Sequence, residues 1–93
     1  MAAMKPRVKR LVLDVLKPHH PNVLEFGRAL AELGAHRVKL SVLEMDDQTQ
    51  TVQLVIEGPE IDFERIQATI AEFGGSLHSI DEVEVAGEST SPA

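Results

Sequence analysis

The sequence predicts an α+β domain of element order βαββαβ. Its four-stranded antiparallel sheet has the order 4-1-3-2, and both helices lie on one face. Three observations predict this. Val23, Phe26, Leu30 and Leu33 recur at helical spacing, and Phe63, Ile66, Ile70 and Phe73 repeat the same spacing further on. Strand-like runs flank each helical segment. Between the two halves, the polar stretch Asp46-Asp47-Gln48-Thr49-Gln50 joins two alternating runs as a hairpin. Two βαβ halves with matching helices make the split βαβ, or ferredoxin-like, arrangement.

The first strand is expected over Val8 to Leu16. Leu11, Leu13 and Val15 form one face, and Val8, Arg10, Val12, Asp14 and Leu16 form the other. Both faces are largely apolar, which predicts a central position in the sheet. Lys17-Pro18-His19-His20-Pro21 is expected to be irregular, because two prolines interrupt any ladder. Pro21 suits the first turn of a helix, and Gly34 suits its end. Val38 to Met45 reads as the second strand, with Val38, Leu40 and Val42 alternating against Lys39 and Ser41. Val52, Leu54 and Ile56 alternate with Gln53, Val55 and Glu57 in the third. Gly58-Pro59 ends it. Asp62 is a good N-cap for the second helix, with Ile61 and Ile66 placed as a hydrophobic staple. Gly74 closes that helix, and Leu77 to Val85 is the last strand. A single domain therefore spans 8–86, after a leader at 1–7 and before a polar, flexible tail at 87–93.

Composition narrows the function classes. Ninety-three residues make one domain with one core. Aromatic content is 3%, with no Trp and no Tyr, so the core is aliphatic and base-stacking platforms are lacking. The net charge of −6 argues against the phosphate backbone of nucleic acid and favours cations or basic partners. No cysteine is present, which removes disulfides, thiolate metal sites and cysteine nucleophiles. No apolar run approaches a membrane span, and there is no signal-peptide core, so the expected location is the cytoplasm. A bare sheet face carrying Val8, Val12, Leu43 and Val55 predicts self-association into a homo-oligomer.

The polar residues of interest concentrate at strand ends. One group is expected to contain Asp14, the His19-His20 loop, Glu57 and His78. Imidazole with carboxylate suits a transition metal. A second is expected at the opposite end: Glu44, Asp46 and Asp47 of the hairpin turn, with Glu82 and Glu84 of the last strand. Clustered carboxylates and turn carbonyls suit calcium or magnesium. Arg7, Lys9 and Arg10 stand near enough to neutralise that second group. The plainer alternative for both groups is solvated surface. Nothing resembles a nucleophile elbow or a phosphate-cradling glycine loop. Asp81 and Glu82, as strand neighbours, are expected to point to opposite faces, which does not suit a carboxylate dyad.

Several segments carry a family resemblance. They are Leu13-Asp14-Val15-Leu16-Lys17-Pro18-His19, Glu44-Met45-Asp46 with Thr49, Ile56-Glu57-Gly58 with Asp62-Phe63, and Gly74 through Val83. In this order they resemble the mainly archaeal family called domain of unknown function two hundred and eleven, over roughly residues 8 to 87. The resemblance implies a ferredoxin-like fold, ring-type homo-oligomers and divalent-cation binding, with no established activity. Asp14, His19, Glu44, Asp46, His78, Asp81 and Glu82 match its polar motif positions. With Asp47 they make the candidate metal-ligand set, for calcium or magnesium ahead of a transition metal. The preferred expectation is a non-enzymatic, oligomeric binding or regulatory module. The alternatives are a small metal-dependent enzyme with its site at a subunit interface, and a purely structural assembly unit.

Overall fold

The computed structural model describes residues 5–34 and 36–87. The remainder of the expected leader, 1–4, and the tail beyond 87 lie outside the described residues. Six elements follow one another: β1 (Arg7–Pro18), α1 (Val23–Ala31), β2 (Arg37–Met45), β3 (Thr49–Glu57), α2 (Phe63–Glu72) and β4 (Ser76–Ala86). The strands form one antiparallel sheet in the order β2-β3-β1-β4. Counted from the other edge this is 4-1-3-2, the ferredoxin-like topology.

Both helices pack on the same face. Leu11, Leu13 and Val15 of β1 and Val52, Leu54 and Ile56 of β3 meet Phe26 and Leu30 of α1 and Ile66 and Ile70 of α2 in one cluster. Each fully buried aliphatic or phenyl side chain contributes about 1.5–3 kcal/mol by leaving water. Phe26 and Phe73 touch at a centroid distance of 5.1 Å, tying the two helices together.

Local chemistry sets the helix ends. Asp62 caps α2 by accepting from Glu64 N at 3.1 Å and Arg65 N at 3.3 Å. Ile61 and Ile66 are both buried beside it, as the staple requires. At the far end Gly75 N donates to Ile70 O and Gly74 N to Ala71 O, both at 2.9 Å. Gly74 takes φ 75°, so the helix stops in a Schellman turn. Helix α1 departs from expectation at both ends. Asn22, not Pro21, opens it, by accepting from Glu25 N at 3.0 Å. It ends at Ala31 with Glu32 as its C-cap, so Gly34 is not its left-handed terminator.

The sheet departs from regular alternation at four residues. The register of β1 with β4 shifts by one residue at Lys9 on β1 and at His78 and Asp81 on β4; β2 with β3 shifts at Leu43. Each is a bulge, which restarts the in–out alternation beyond it. Two expectations fall for this reason. Val8 was expected on the bare face, but the bulge at Lys9 turns it to the helix side, where it packs against the core. Leu43 is itself an extra residue, 54% exposed, and not a regular member of that face. Val12 and Val55 do lie there, opposite one another. Strand β1 also runs further than expected, through Lys17 and Pro18, which pair with Gln50 and Thr49. Strand β4 starts beside Leu16, so Pro18 has a neighbouring strand on one side only and its missing N–H breaks no ladder.

Candidate functional site

Antiparallel pairing decides which polar groups meet. Strand β3 runs against β1, so the end of β3 lies beside the start of β1: Glu57 pairs with Arg10. The hairpin turn between β2 and β3 consequently lies at the other end, beside the end of β1. This corrects the expected grouping. Glu57 does not join His19 and His78, and Asp46 does not join Glu82.

At the turn end, His19 Nε2 donates to Asp46 O at 2.8 Å, linking the two expected groups. Asp46 organises the turn through one oxygen, Oδ1. It accepts from Gln48 N at 3.0 Å, Thr49 N at 2.9 Å and Thr49 Oγ1 at 3.1 Å. These bonds, with the Thr49 amide first, hold the Asp46 carboxyl below the usual carboxylate range. Glu44, Met45, Asp46, Thr49 and Thr51 line a shallow hollow of 220 Å³. Asp47 is exposed at the tip.

A buried lysine holds this end together. Lys17 continues the helix-side row of Leu11, Leu13 and Val15 and is only 1% exposed. Its Nζ donates to Pro18 O at 2.6 Å and to Pro21 O, and it lies 5.8 Å from the centre of the Phe26 ring. Burial pushes its pKa below the ordinary lysine value, against a weaker opposing pull from Glu25. The clamp folds the Pro18–Pro21 loop back on β1 and so sets His19 beside Asp46. Hydrophobic patterning missed this residue because a lysine in an apolar row reads as solvated.

At the opposite end, Arg10 bridges two strands. Its Nε lies 2.7 Å from Glu82 Oε2 and its Nη1 2.5 Å from Glu57 Oε2. The Glu82 hydrogen bond and then that of Glu57 raise the arginine pKa further. Lys9 Nζ donates to Pro59 O at 2.7 Å. Arg10 thus neutralises Glu82, and with it Glu57 of the other expected group, while the turn carboxylates Glu44, Asp46 and Asp47 lie at the opposite end of the strands.

The remaining candidates lie apart. Asp14 sits mid-sheet, facing away from the helices, between Gln53 and Ser79, and its Oδ1 is buried without a hydrogen-bond partner among the described residues. His78 is an exposed bulge residue of β4. Asp81 is the other bulge of that strand, so strict alternation with Glu82 is lost there; its Oδ1 accepts from Ser79 Oγ at 2.7 Å. Among the described residues, no three His, Asp or Glu side chains converge as a metal-holding group within one chain. No helix among them is long and apolar enough to cross a membrane.

Facing away from the helices, the polar side chains fall into rows across the sheet. Arg37, Glu57, Arg10 and Glu84 form the first; Lys39, Val55, Val12 and Glu82 the second; Ser41, Gln53, Asp14 and Ser79 the third. The first row alternates in charge over all four strands. The first and second end in a cation at the β2 edge and a carboxylate at the β4 edge.

Comparison with known proteins matches most of the chain. The family model DUF211, described as "Uncharacterized ArCR", matches residues 9–90. An uncharacterized protein of Methanocaldococcus jannaschii is 44% identical over 82 residues, covering 87% of this chain and 84% of the relative. The segments that carry the sequence resemblance all fall inside the matched range, and the chain belongs to the DUF211 family.

Proposed function

We propose that the protein is a non-enzymatic binding or regulatory module that works as a homo-oligomer. Its ligand in this reading is a divalent cation, calcium or magnesium ahead of a transition metal, held by groups from more than one subunit. The observation that supports the reading is the uncovered apolar surface along both sheet edges. Val42, Leu43 and Met45 on β2 and Ile80, Val83 and Val85 on β4 are 42% to 61% exposed. In a chain this small, six large side chains left half in water at two open edges favour burial against another copy.

The cation reading follows from what the turn end offers. Glu44, Asp46 and Asp47 are exposed there, and Asp46 keeps its second oxygen clear of the turn's hydrogen bonds. Calcium takes about 6–8 oxygens. One chain supplies too few, so a neighbour or water completes the shell.

Thermal melts with calcium, magnesium, zinc and nickel test the reading. Binding at a hundredfold excess over Kd stabilises by about 2.7 kcal/mol. Asp46→Asn with Asp47→Asn removes the shift if the turn end is the site; His78→Ala removes it, most for zinc or nickel, if the imidazole is a ligand. No shift with any of the four ions, and no metal in the purified protein by elemental analysis, sinks the cation reading.

A further inference from the structure

We infer that the β2 edge of one copy pairs antiparallel with the β4 edge of the next, in the register that continues each row of the sheet. The inference rests on the self-association reading above and names the surfaces that carry it.

Directions come first. In the order β2-β3-β1-β4 with every neighbour antiparallel, β2 and β4 run in opposite senses. A second copy placed beside the first, with the same face towards its helices, therefore presents β2 antiparallel to β4. Each edge strand is hydrogen-bonded on one side only, so its outward N–H and C=O groups are open to a partner strand.

Side chains then fix the register. On the face away from the helices, joining row ends sets Arg37 against Glu84, Lys39 against Glu82 and Ser41 against Ser79. The alternation Arg37, Glu57, Arg10, Glu84 runs on without a like-charge contact into the neighbour's Arg37. On the helix side the same rows set Val38 against Val83, Leu40 against Ile80 and Val42 against Leu77. Two faces with different chemistry agree on one register, and a shift of one residue would turn carboxylates into the apolar side. Edge charges of one sign only would keep copies apart. In the first two rows the cations, Arg37 and Lys39, belong to the β2 edge and the carboxylates, Glu84 and Glu82, to the β4 edge, which makes these stretches complementary; Glu44, further along β2, falls in the row that ends at Ser76.

The edge of β2 also offers room. Val23, Leu24 and Gly27 of α1 and Val38 and Leu40 of β2 line an apolar hollow of 430 Å³. Leu24 is 61% exposed at its rim. Ile80 and Val83 of the incoming β4 are on the side of the sheet that faces this hollow. A contact between two different surfaces is heterologous, so repetition gives a closed ring or an open filament.

The absence of native cysteine makes the register testable by cross-linking. Within one chain Ser41 and Ser79 stand three strand spacings apart, roughly 14 Å. A disulfide needs Cα atoms within about 7 Å. In the double variant Ser41→Cys, Ser79→Cys, any disulfide therefore joins two copies. The expected result, on non-reducing electrophoresis after mild oxidation, is a ladder of covalent multimers that collapses on reduction. Each single variant alone stays uncross-linked, and an equal mixture of the two gives dimers only. As a second measurement, Arg37→Glu sets like charges in one row and lowers the mass seen by light scattering at fixed concentration. If the wild-type protein associates but the double variant gives no ladder, or a single variant cross-links with itself, this register is wrong and self-association stands. A wild-type mass of one chain overturns both.

Discussion

Lys17→Met replaces the buried ammonium by an apolar group of similar length. The stem still packs beside Phe26, but the donors to Pro18 O and Pro21 O are lost. Hydrogen bonds from a charged donor are worth about 1.5–3 kcal/mol each, and the variant no longer pays the desolvation of the charge. Both bonds are only part-buried and Pro21 is exposed, so with water replacing the ammonium a net loss of about 1–3 kcal/mol is expected at pH 7. At about 4–8 °C per kcal/mol for a domain of this size, the melting temperature falls by roughly 4–24 °C. The pH dependence isolates the cause. Burial holds the folded-state pKa of Lys17 below its ordinary 10.5. Between those two values the unfolded chain binds more protons than the folded one, so this group's contribution to stability grows as pH rises through that window. The gap between wild type and variant therefore widens as pH rises towards 10.5. Urea unfolding at a series of pH values from 7 to 10.5 measures it. A gap that narrows would show that the fold stabilises the charged form, and no gap at any pH would show that the clamp holds nothing.

Two further outcomes follow from local geometry. The Asp46 carboxyl titrates below 3.8, because the Thr49 and Gln48 amides favour its charged form. Its contribution to stability is present above 3.8 and is lost as pH falls through the lower folded-state value. Carboxyl-carbon NMR titration reads that midpoint, and a midpoint at or above 3.8 would contradict the turn geometry. Gly75→Ala puts a Cβ 3.2 Å from the carbonyl oxygens of both Ile70 and Leu16, and 3.1 Å from Ile70 Cγ2. Gly74→Ala instead forces a side chain into φ 75°, at a cost of about 1–2 kcal/mol. Both lower the melting temperature. A neutral result at Gly74 would contradict the Schellman turn.

Much of the fold was legible because its signals are periodic. The repeated helical spacing, the Asp62 cap and the hairpin turn give element type and order, and βαββαβ order then leaves few topologies. The candidate site was less legible, for two physical reasons. Strand direction, not sequence proximity, decides which ends meet, and the antiparallel run of β3 sends Glu57 away from His19 and brings Asp46 to it. Bulges carry no signature of their own. Lys9, Leu43, His78 and Asp81 each shift the alternation by one, so simple parity misplaces Val8. Lys17 was hidden for a different reason: its burial depends on the carbonyls of a loop that folds back over it.

The assembly can be tested without mutating the protein. Light scattering on the wild-type chain at micromolar concentration reads the mass directly. Closure of the sheet by a neighbour's edge predicts a species several times the 10.2 kDa of one chain, persisting on dilution through the micromolar range. A single species of 10.2 kDa, with the β2 and β4 edge amides exchanging as freely as loop amides, would contradict it.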